Sequence, residues 1–281
     1  MECNDSASAF QENIYDIQVP RKTVELKDLK VRKIVKELIR DSKCKVLDVG
    51  CGDGSLLEPL CRSQECYGVD VSEAQLKKAQ KKGIRTYRVD LESGTLPFAD
   101  DFFDLVICSE TIEHLLDPDN LLQEIHRTVR CRGIFILTFP NINQPLSWLM
   151  QVAFDLPPRF SARYKSPHVR DYTLRIMKNV LVNFGFEISN VTGTYIYPCE
   201  GKISQWLAKS FPRLAEKIIV VSEKHRKMVA TQPKNVVWNV LELLEKKNRQ
   251  TTVTFMRPDA TAKKALLQGK TNLKTMSQCL A

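Results

Sequence analysis

A glycine-rich segment, VLDVGCGDG at residues 46–54, is the part of the sequence that most directly indicates chemistry. Its apolar start predicts a strand, and its glycines predict a tight turn, because glycine lets a ligand approach the main chain closely. The spacing of Gly50, Gly52 and Gly54 differs from the G-x-G-x-x-G pattern of dinucleotide sites. Asp48 precedes them, and its carboxylate disfavours a pyrophosphate but suits a ligand with an ammonium group. The segment predicts a cofactor site, and S-adenosylmethionine carries such an ammonium group.

Two further acids follow apolar runs that predict the second and third strands. Asp70 ends the first of these runs, where a carboxylate can accept hydrogen bonds from both hydroxyls of a ribose. Asp90 follows the second run, where it can accept a hydrogen bond from an adenine amine, and Leu91 can line the ring. Cys51 in the glycine turn and Val71 after Asp70 belong to the same predicted lining. These residues predict a site for an adenosine group.

The segment FDLVICSETIEHL, residues 103–115, predicts a fourth strand that delivers Ser109 and Glu110 to the same crevice. A methionine group would extend towards these two residues. Glu110, Glu113 and His114 have the spacing i, i+3 and i+4, so on a helix they would share one face. Carboxylates and an imidazole on one face are able to hold a divalent metal ion.

The predicted elements alternate between short apolar runs and amphipathic segments. A helix is expected from 25 to 40, and another from about Ser55. Strands are expected at 45–50, 66–70, 84–89, 103–109 and 133–139, and runs at 186–197 and 218–222 can form the last two. This order predicts an α/β fold with a doubly wound, mostly parallel, seven-stranded sheet that has helices on both faces.

The ordered set of Asp48, Gly50 and Gly52, then Asp70, Asp90 and the SETIEHL segment resembles the class I S-adenosylmethionine-dependent methyltransferases. It is most similar to the subgroup with the ubiquinone-biosynthesis O-methyltransferases and the MetW-like proteins, over roughly residues 25–228. The resemblance implies a Rossmann-like fold with S-adenosylmethionine in the crevice. Gly50 and Gly52 would contact its amino acid part, Asp70 its ribose, and Asp90 with Leu91 its adenine.

The Glu-x-x-Glu-His motif is similar to the magnesium-binding pattern of the ubiquinone O-methyltransferases, and to part of the metal site of small-RNA 2′-O-methyltransferases. This resemblance implies Mg²⁺ at Glu110, Glu113 and His114, with His168 as a further ligand. Short Glu/His motifs often match by chance, so we favour a simpler interpretation. In that interpretation Glu110 hydrogen-bonds locally, Glu113 faces solvent and His114 packs beside the turn at Asp117.

An acceptor hydroxyl would need help in losing its proton, and the candidate groups are His168, then His114 and Glu113. The expected function is O-methylation of a small, lipid-like or glycan-linked acceptor. Two alternatives stay open at this stage. One is an RNA or other nucleic-acid methyltransferase, and the other is a non-catalytic, S-adenosylmethionine-binding regulatory protein.

The predicted domain of residues 25–228 is flanked by an N-terminal arm, 1–24, and a basic C-terminal extension, 229–281. An insertion at about 142–168 is rich in apolar residues and is expected to form a lid. Such a lid could cover the methyl donor, enclose an apolar acceptor or touch a membrane surface. The sequence leaves the oligomeric state open.

The formal net charge is +9, and residues 233–281 contribute +6 of it, from nine Lys or Arg against three acids. Nucleic-acid binding through this basic tail is therefore conceivable, but it is not favoured because the charge lies outside the predicted catalytic domain. The nine cysteines form no CxxC pair, which favours reduced thiols. With no apolar run of about 20 residues, we expect a cytoplasmic protein.

Overall fold

The computed structural model of this chain describes residues 26–39, 42–92, 94–154 and 168–225. Seven strands form one sheet in the order β3-β2-β1-β4-β5-β7-β6. They are β1 (Lys45–Val49), β2 (Glu65–Asp70), β3 (Arg85–Arg88), β4 (Phe103–Ser109), β5 (Val129–Pro140), β6 (Phe186–Gly193) and β7 (Lys217–Lys224). Strands β1 to β5 pair in parallel, whereas β7 is antiparallel to both of its neighbours. The predicted fold class is confirmed, with one antiparallel region in the sheet.

Six α-helices connect or cover these strands in the described part of the chain. They are α1 (Leu26–Ile39), α2 (Glu73–Lys81), α3 (Pro118–Thr128), α4 (Pro145–Phe154), α5 (Leu174–Asn183) and α6 (Lys202–Ser210). Val31 and Val35 of α1 are fully buried in a cluster with Leu105 and other residues on one face of the sheet. Phe135 contacts Phe186, whose ring lies against His126 of α3, so the other face is covered as well.

The sheet order brings several strand ends to one edge. The carboxyl ends of β1, β2, β4 and β5 meet there because these strands are parallel. Strand β6 also ends at this edge, and β7 begins there, because β7 is antiparallel to both β5 and β6. In open α/β sheets, ligands bind in the crevice outside these carboxyl ends. We call this edge the crevice edge.

The helix predicted from Ser55 is wrong. The chain forms turns there, followed by a single 3₁₀ turn at Glu58–Leu60. Pro59 has no N–H to donate to the carbonyl of Ser55, four residues earlier, so an α-helix would lose that bond. The guanidinium of Arg32 donates to the carbonyl oxygens of Ser55 and Leu56 instead.

Gly54 ends the glycine-rich turn, with a φ of +74° that disfavours other residues. A Cβ there would lie 2.4 Å from Ile84 Cδ1 and 3.1 Å from Ala79 Cα. We therefore expect Gly54→Ala to lower the free energy of unfolding by about 2–4 kcal/mol, from backbone strain and overpacking. Urea unfolding measures this loss. Gly201→Ala is the control, because a Cβ at Gly201 meets no atom within 4 Å; equal losses in both variants would contradict the prediction.

Several predicted segments lie wholly or partly outside the described residues. They are the N-terminal arm, the C-terminal extension and the part of the expected lid from 155 to 167. The beginning of that lid forms α4, which leaves Trp148, Leu149 and Val152 exposed. A lid function and the domain boundaries stay predictions. No helix in the described part of the chain is long and apolar enough to cross a membrane.

Candidate cofactor and active site

The glycine-rich turn is hydrogen-bonded to the end of β2. The backbone N–H groups of Gly50 and Cys51 both donate to the carbonyl of Val69, at 2.9 and 3.0 Å. Gly50 has no room for a side chain, since a Cβ would lie 2.3 Å from Thr111 Oγ1. Gly52 has a φ of +51°, and a Cβ there would meet no atom within 4 Å. The turn therefore presents bare backbone at Gly52 to open space.

Asp70 lies at the end of β2 and holds the glycine turn from the other side. One carboxylate oxygen accepts from the Gly52 N–H at 2.8 Å, and the other accepts from the Ser72 N–H at 2.9 Å. A carboxylate oxygen has two lone pairs, so it can accept from a ligand hydroxyl as well as from a backbone N–H. Asp70 is half-buried, so a ligand beside Gly52 can reach it.

Asp48 and Cys51, two of the residues predicted to bind the cofactor, are both buried. Asp48 is buried in β1. Burial raises the pKa of the Cys51 thiol, and the carboxylates of Asp48 and Asp70 raise it further. The Cys51 sulfur also packs against Gly68 of β2, where a Cβ would lie 2.7 Å away. Cys51 is therefore a neutral packing residue, and its main-chain groups are used within the turn, where its carbonyl accepts from the Gly54 N–H at 3.0 Å.

The residues predicted to hold adenine form a short turn after β3. Asp90 Oδ1 accepts from the Glu92 N–H at 3.0 Å, and the Asp90 carbonyl accepts from the Gly94 N–H at 2.7 Å. Leu91 is largely buried, whereas Asp90 and Val71 are partly exposed. The structure thus places these residues beyond the ends of β2 and β3, on the crevice edge.

A polar network occupies the ends of β4, β5 and β7. The hydroxyls of Ser109 and Thr138 are 3.0 Å apart, and Thr138 also donates to Glu110 Oε1 at 3.3 Å. The other oxygen of Glu110 lies 3.0 Å from Lys217 Nζ. The local hydrogen bonding expected of Glu110 is present. Thr138 and Lys217 were not predicted from the sequence. A hydroxyl that ends an apolar strand is a signal for Thr138, whereas Lys217 reaches this site only through the strand order.

Glu110, Glu113 and His114 do not share a helical face. Glu110 has a φ of +55°, and the 3₁₀ helix that follows begins only at Ile112. The side chain of Glu110 turns to Lys217, while Glu113 and His114 lie with His168, their ligand-type atoms within 4.8 Å of one another. The alternative expectation that Glu113 faces solvent is also wrong, since Glu113 is only 1% exposed.

The cluster of Glu113, His114 and His168 is held together by main-chain hydrogen bonds. The carbonyl of Glu113 accepts from the N–H groups of Val169 and Arg170, at 3.0 and 3.1 Å. His168 Nε2 is 3.9 Å from Glu113 Oε1, an ion-pair distance rather than a hydrogen bond. The His114 and His168 rings meet edge to face, with centroids 4.7 Å apart. Two imidazoles are therefore fixed beside a buried carboxylate.

These three residues do not fit the predicted Mg²⁺. Magnesium prefers oxygen ligands in octahedral geometry, whereas this cluster offers two imidazole nitrogens and one carboxylate. The second carboxylate of the expected set belongs to Glu110, which pairs with Lys217. The metal site predicted at Glu110, Glu113 and His114 is thus not assembled.

Several residues at the crevice edge lie within a stretch that matches a known protein family. Residues 47–137 match the family described as "Methyltransferase domain", and this stretch contains the glycine turn, Asp70, Asp90 and Glu110. The chain contains a class I methyltransferase domain. The resemblance stated from the sequence is confirmed over these residues, and S-adenosylmethionine is the cofactor that such a domain implies.

Several curated relatives of this chain are ubiquinone biosynthesis O-methyltransferases. A ubiquinone biosynthesis O-methyltransferase from Sinorhizobium medicae is 28% identical over 58% of this chain and 66% of its own length. Another with the same name, from Pseudomonas syringae, is 35% identical over 38% of this chain and 49% of its own length. The chain thus spans about half to two thirds of the length of these relatives.

A solved structure supports the fold of the methyltransferase domain. An S-adenosylmethionine-dependent methyltransferase from Thermotoga maritima superimposes with a TM-score of 0.52 at 19% identity, covering 79% of this chain and 96% of that protein. At this identity the likeness concerns the fold alone.

Proposed function

We propose that this protein is an S-adenosylmethionine-dependent O-methyltransferase that acts on a small or lipid-like acceptor. One observation carries the proposal. Gly52 borders open space beside Asp70, and the Glu113, His114 and His168 cluster lies just beyond β4, on the same crevice edge. We call the groups proposed to hold the cofactor, at Gly52 and Asp70, the cradle; the cradle and a group able to accept a proton thus lie on the same edge of the sheet.

S-adenosylmethionine would supply a methyl group on a sulfonium: an acceptor oxygen would attack the methyl carbon, the carbon–sulfur bond would break, and the sulfur would leave as the neutral thioether of the demethylated product. In the proposed arrangement Gly50 and Gly52 present backbone to its amino acid part, with Ser109 and Glu110 nearby. Asp70 accepts from its ribose hydroxyls, and Asp90 with Leu91 holds its adenine. Displacement needs alignment more than covalent help from the protein, so positioning is the main task of these residues.

His168 is the proposed base for an acceptor hydroxyl. Its ring is partly exposed, so an acceptor can reach it, whereas Glu113 beside it is buried. A carboxylate next to an imidazole orients the ring and favours its protonated form after proton transfer. We assign His168 to proton removal, Glu113 to positioning His168, and His114 to the wall of the same site.

An oxygen acceptor is supported by the names of the curated relatives, which are O-methyltransferases of ubiquinone biosynthesis. A lipid-like acceptor is supported by α4, which follows β5 at the crevice edge and exposes Trp148, Leu149 and Val152. Apolar side chains exposed beside a crevice are typical of a surface that receives apolar ligands.

The deciding experiment has two stages. Calorimetric titration with S-adenosylmethionine and its demethylated product tests the cradle, with and without added magnesium. Release of the demethylated product is then measured with catechols, lipid-linked sugars and RNA as acceptors. Binding with turnover on catechols or lipid-linked sugars supports the proposal. Turnover on RNA alone would favour a nucleic-acid methyltransferase, and binding without any turnover would favour a regulatory protein.

Gly52→Ala tests the cradle directly. The added methyl group enters the space proposed for the cofactor, so we expect the affinity for S-adenosylmethionine to fall by ~10-fold or more. The methyl group meets no protein atom, so stability should fall only by about 1–2 kcal/mol, from the positive φ. Titration calorimetry and urea unfolding on the same sample give both values. Wild-type affinity in this variant would mean that the cofactor lies elsewhere.

A further inference from the structure

Helix α6 turns an apolar and basic face to solvent. Trp206 is 63% exposed and Ile203 is 78% exposed, which is unusual for large apolar side chains. Lys202 and Lys209 are exposed at four residues before and three residues after Trp206, so they flank it on the same face. Just beyond the helix, Phe211 and Arg213 are exposed as well. We call these six residues the α6 face.

The opposite side of α6 fixes its orientation. Ser204 Oγ accepts from the Ile196 N–H at 2.7 Å and donates to the Ile196 carbonyl at 3.1 Å. Ala208 is fully buried against Gly193, where an added Cβ would lie 3.2 Å from the Ala208 Cβ. A rotation of the helix that hid Trp206 would break these contacts. The α6 face is therefore a fixed feature of the surface.

The α6 face lies at the crevice edge. Helix α6 connects the end of β6 to the start of β7, and both of these points are at that edge. The side chain of Asn141, which follows β5, donates to the carbonyls of Arg213 and Ala215, at 2.9 and 2.8 Å. The segment after α6 is thus tied to the chain that carries Thr138 and leads into α4.

We propose that the α6 face binds the surface of a lipid bilayer that contains anionic lipids. Tryptophan, phenylalanine and isoleucine side chains are stabilised at the boundary between headgroups and acyl chains, and Lys and Arg are attracted to anionic headgroups. Helix α6 has nine residues, far fewer than the ~20 needed to cross a bilayer, so it lies along the surface.

The combination of cations and apolar side chains on the α6 face disfavours a second copy of the chain or a nucleic acid as its binding partner. A second copy that met this face by twofold symmetry would bring its own Lys202 and Lys209 against the same cations. A nucleic acid would pair with the cations, but it would leave Ile203 without an apolar partner. Membrane binding itself does not depend on the proposed function. Only one consequence rests on that function, namely that a lipid-like acceptor enters the crevice from the bilayer.

Vesicle sedimentation of the full chain tests the proposal. The vesicles are phosphatidylcholine, with or without phosphatidylglycerol. We expect the wild type to bind the anionic vesicles, and more weakly as salt rises. Lys202→Gln with Lys209→Gln should weaken binding roughly 30-fold and flatten the salt dependence, and Ile203→Ser with Trp206→Ser should weaken it roughly 10-fold or more.

Matched controls change similar side chains at other positions. Lys33→Gln with Lys36→Gln removes two cations from α1, and Val182→Ser removes an exposed apolar side chain from α5, whose end leads into β6 away from the crevice edge. Both controls should bind as the wild type does. The basic C-terminal residues are the same in every variant, so they cannot produce a difference.

Three results would overturn the proposal: no binding of the wild type to anionic vesicles, equal binding by the α6 variants and the controls, or no effect of phosphatidylglycerol. Titration of each variant with S-adenosylmethionine reports on the fold and on the proposed function independently. Vesicle binding without cofactor binding would defeat the proposed function alone, whereas the reverse pattern would defeat the membrane proposal alone.

Discussion

Asp70→Asn is expected to lower the affinity for S-adenosylmethionine roughly 100-fold. The two carboxylate oxygens of Asp70 accept from the N–H groups of Gly52 and Ser72. An asparagine has a single acceptor oxygen, so its NH₂ group must face one of these donors. The variant therefore loses charged hydrogen bonds to the proposed ribose and also disturbs the glycine turn. Titration calorimetry measures the affinity.

The matched control for Asp70→Asn is Glu73→Gln. Glu73 is an exposed acid three residues further along, with its carboxylate 2.8 Å from Lys77 Nζ, so the variant removes the same charge without touching the glycine turn. Its affinity should equal that of the wild type. The Asn variant should stay folded, with a loss of about 1–2 kcal/mol in the free energy of unfolding. Wild-type affinity in folded Asp70→Asn would falsify the proposed ribose site.

His168→Gln is expected to reduce turnover of a hydroxyl acceptor by roughly 100-fold or more, because a positioned base contributes about that much to proton removal. The affinity for S-adenosylmethionine should not change, because the proposed cofactor contacts lie at Gly52, Asp70 and Asp90. Glu113→Gln should give a smaller loss of kcat with little change in KM, because Glu113 acts only through His168. Steady-state kinetics on the acceptor found in the screen provide these values.

The control for His168→Gln is His225→Gln. His225 follows β7 at the edge of the sheet opposite the crevice, so its loss should leave turnover unchanged. If His168→Gln also retained full turnover, proton removal by His168 would be excluded and an acceptor that needs no base would be indicated. A simultaneous loss of cofactor affinity would point instead to damage of the crevice.

Much of the fold could be predicted from the sequence because it is encoded in local patterns. Buried strands are continuous apolar runs, so the parallel strands β1 and β4 and the antiparallel strand β7 were predicted within one or two residues of their observed ends. Polar residues that end such runs must lie at the same edge of a parallel sheet. For this reason the sequence predicts Asp70, Asp90 and Ser109 at the crevice edge, where the strand ends lie in the structure.

The sequence was less informative where neighbours decide the conformation. Helical spacing placed Glu110 with Glu113 and His114, but the left-handed backbone at Glu110 breaks that face. The helix expected from Ser55 is replaced by turns because Pro59 has no backbone N–H to donate, and because the Arg32 guanidinium donates to the carbonyls of Ser55 and Leu56. The exposure of Trp206 could not be predicted from the sequence either, because apolar residues at helical spacing normally indicate the buried side of a helix.

The sequence by itself determined the α/β class, the glycine turn and the acids at the strand ends, because each depends on residues close together in the chain. Only the tertiary structure decided which distant side chains meet. Lys217 reaches Glu110 because β7 inserts antiparallel between β5 and β6. His168 reaches Glu113 because main-chain hydrogen bonds fold residues 168–170 back onto the turn after β4. Such contacts arise from strand order and chain return, which local spacing does not encode.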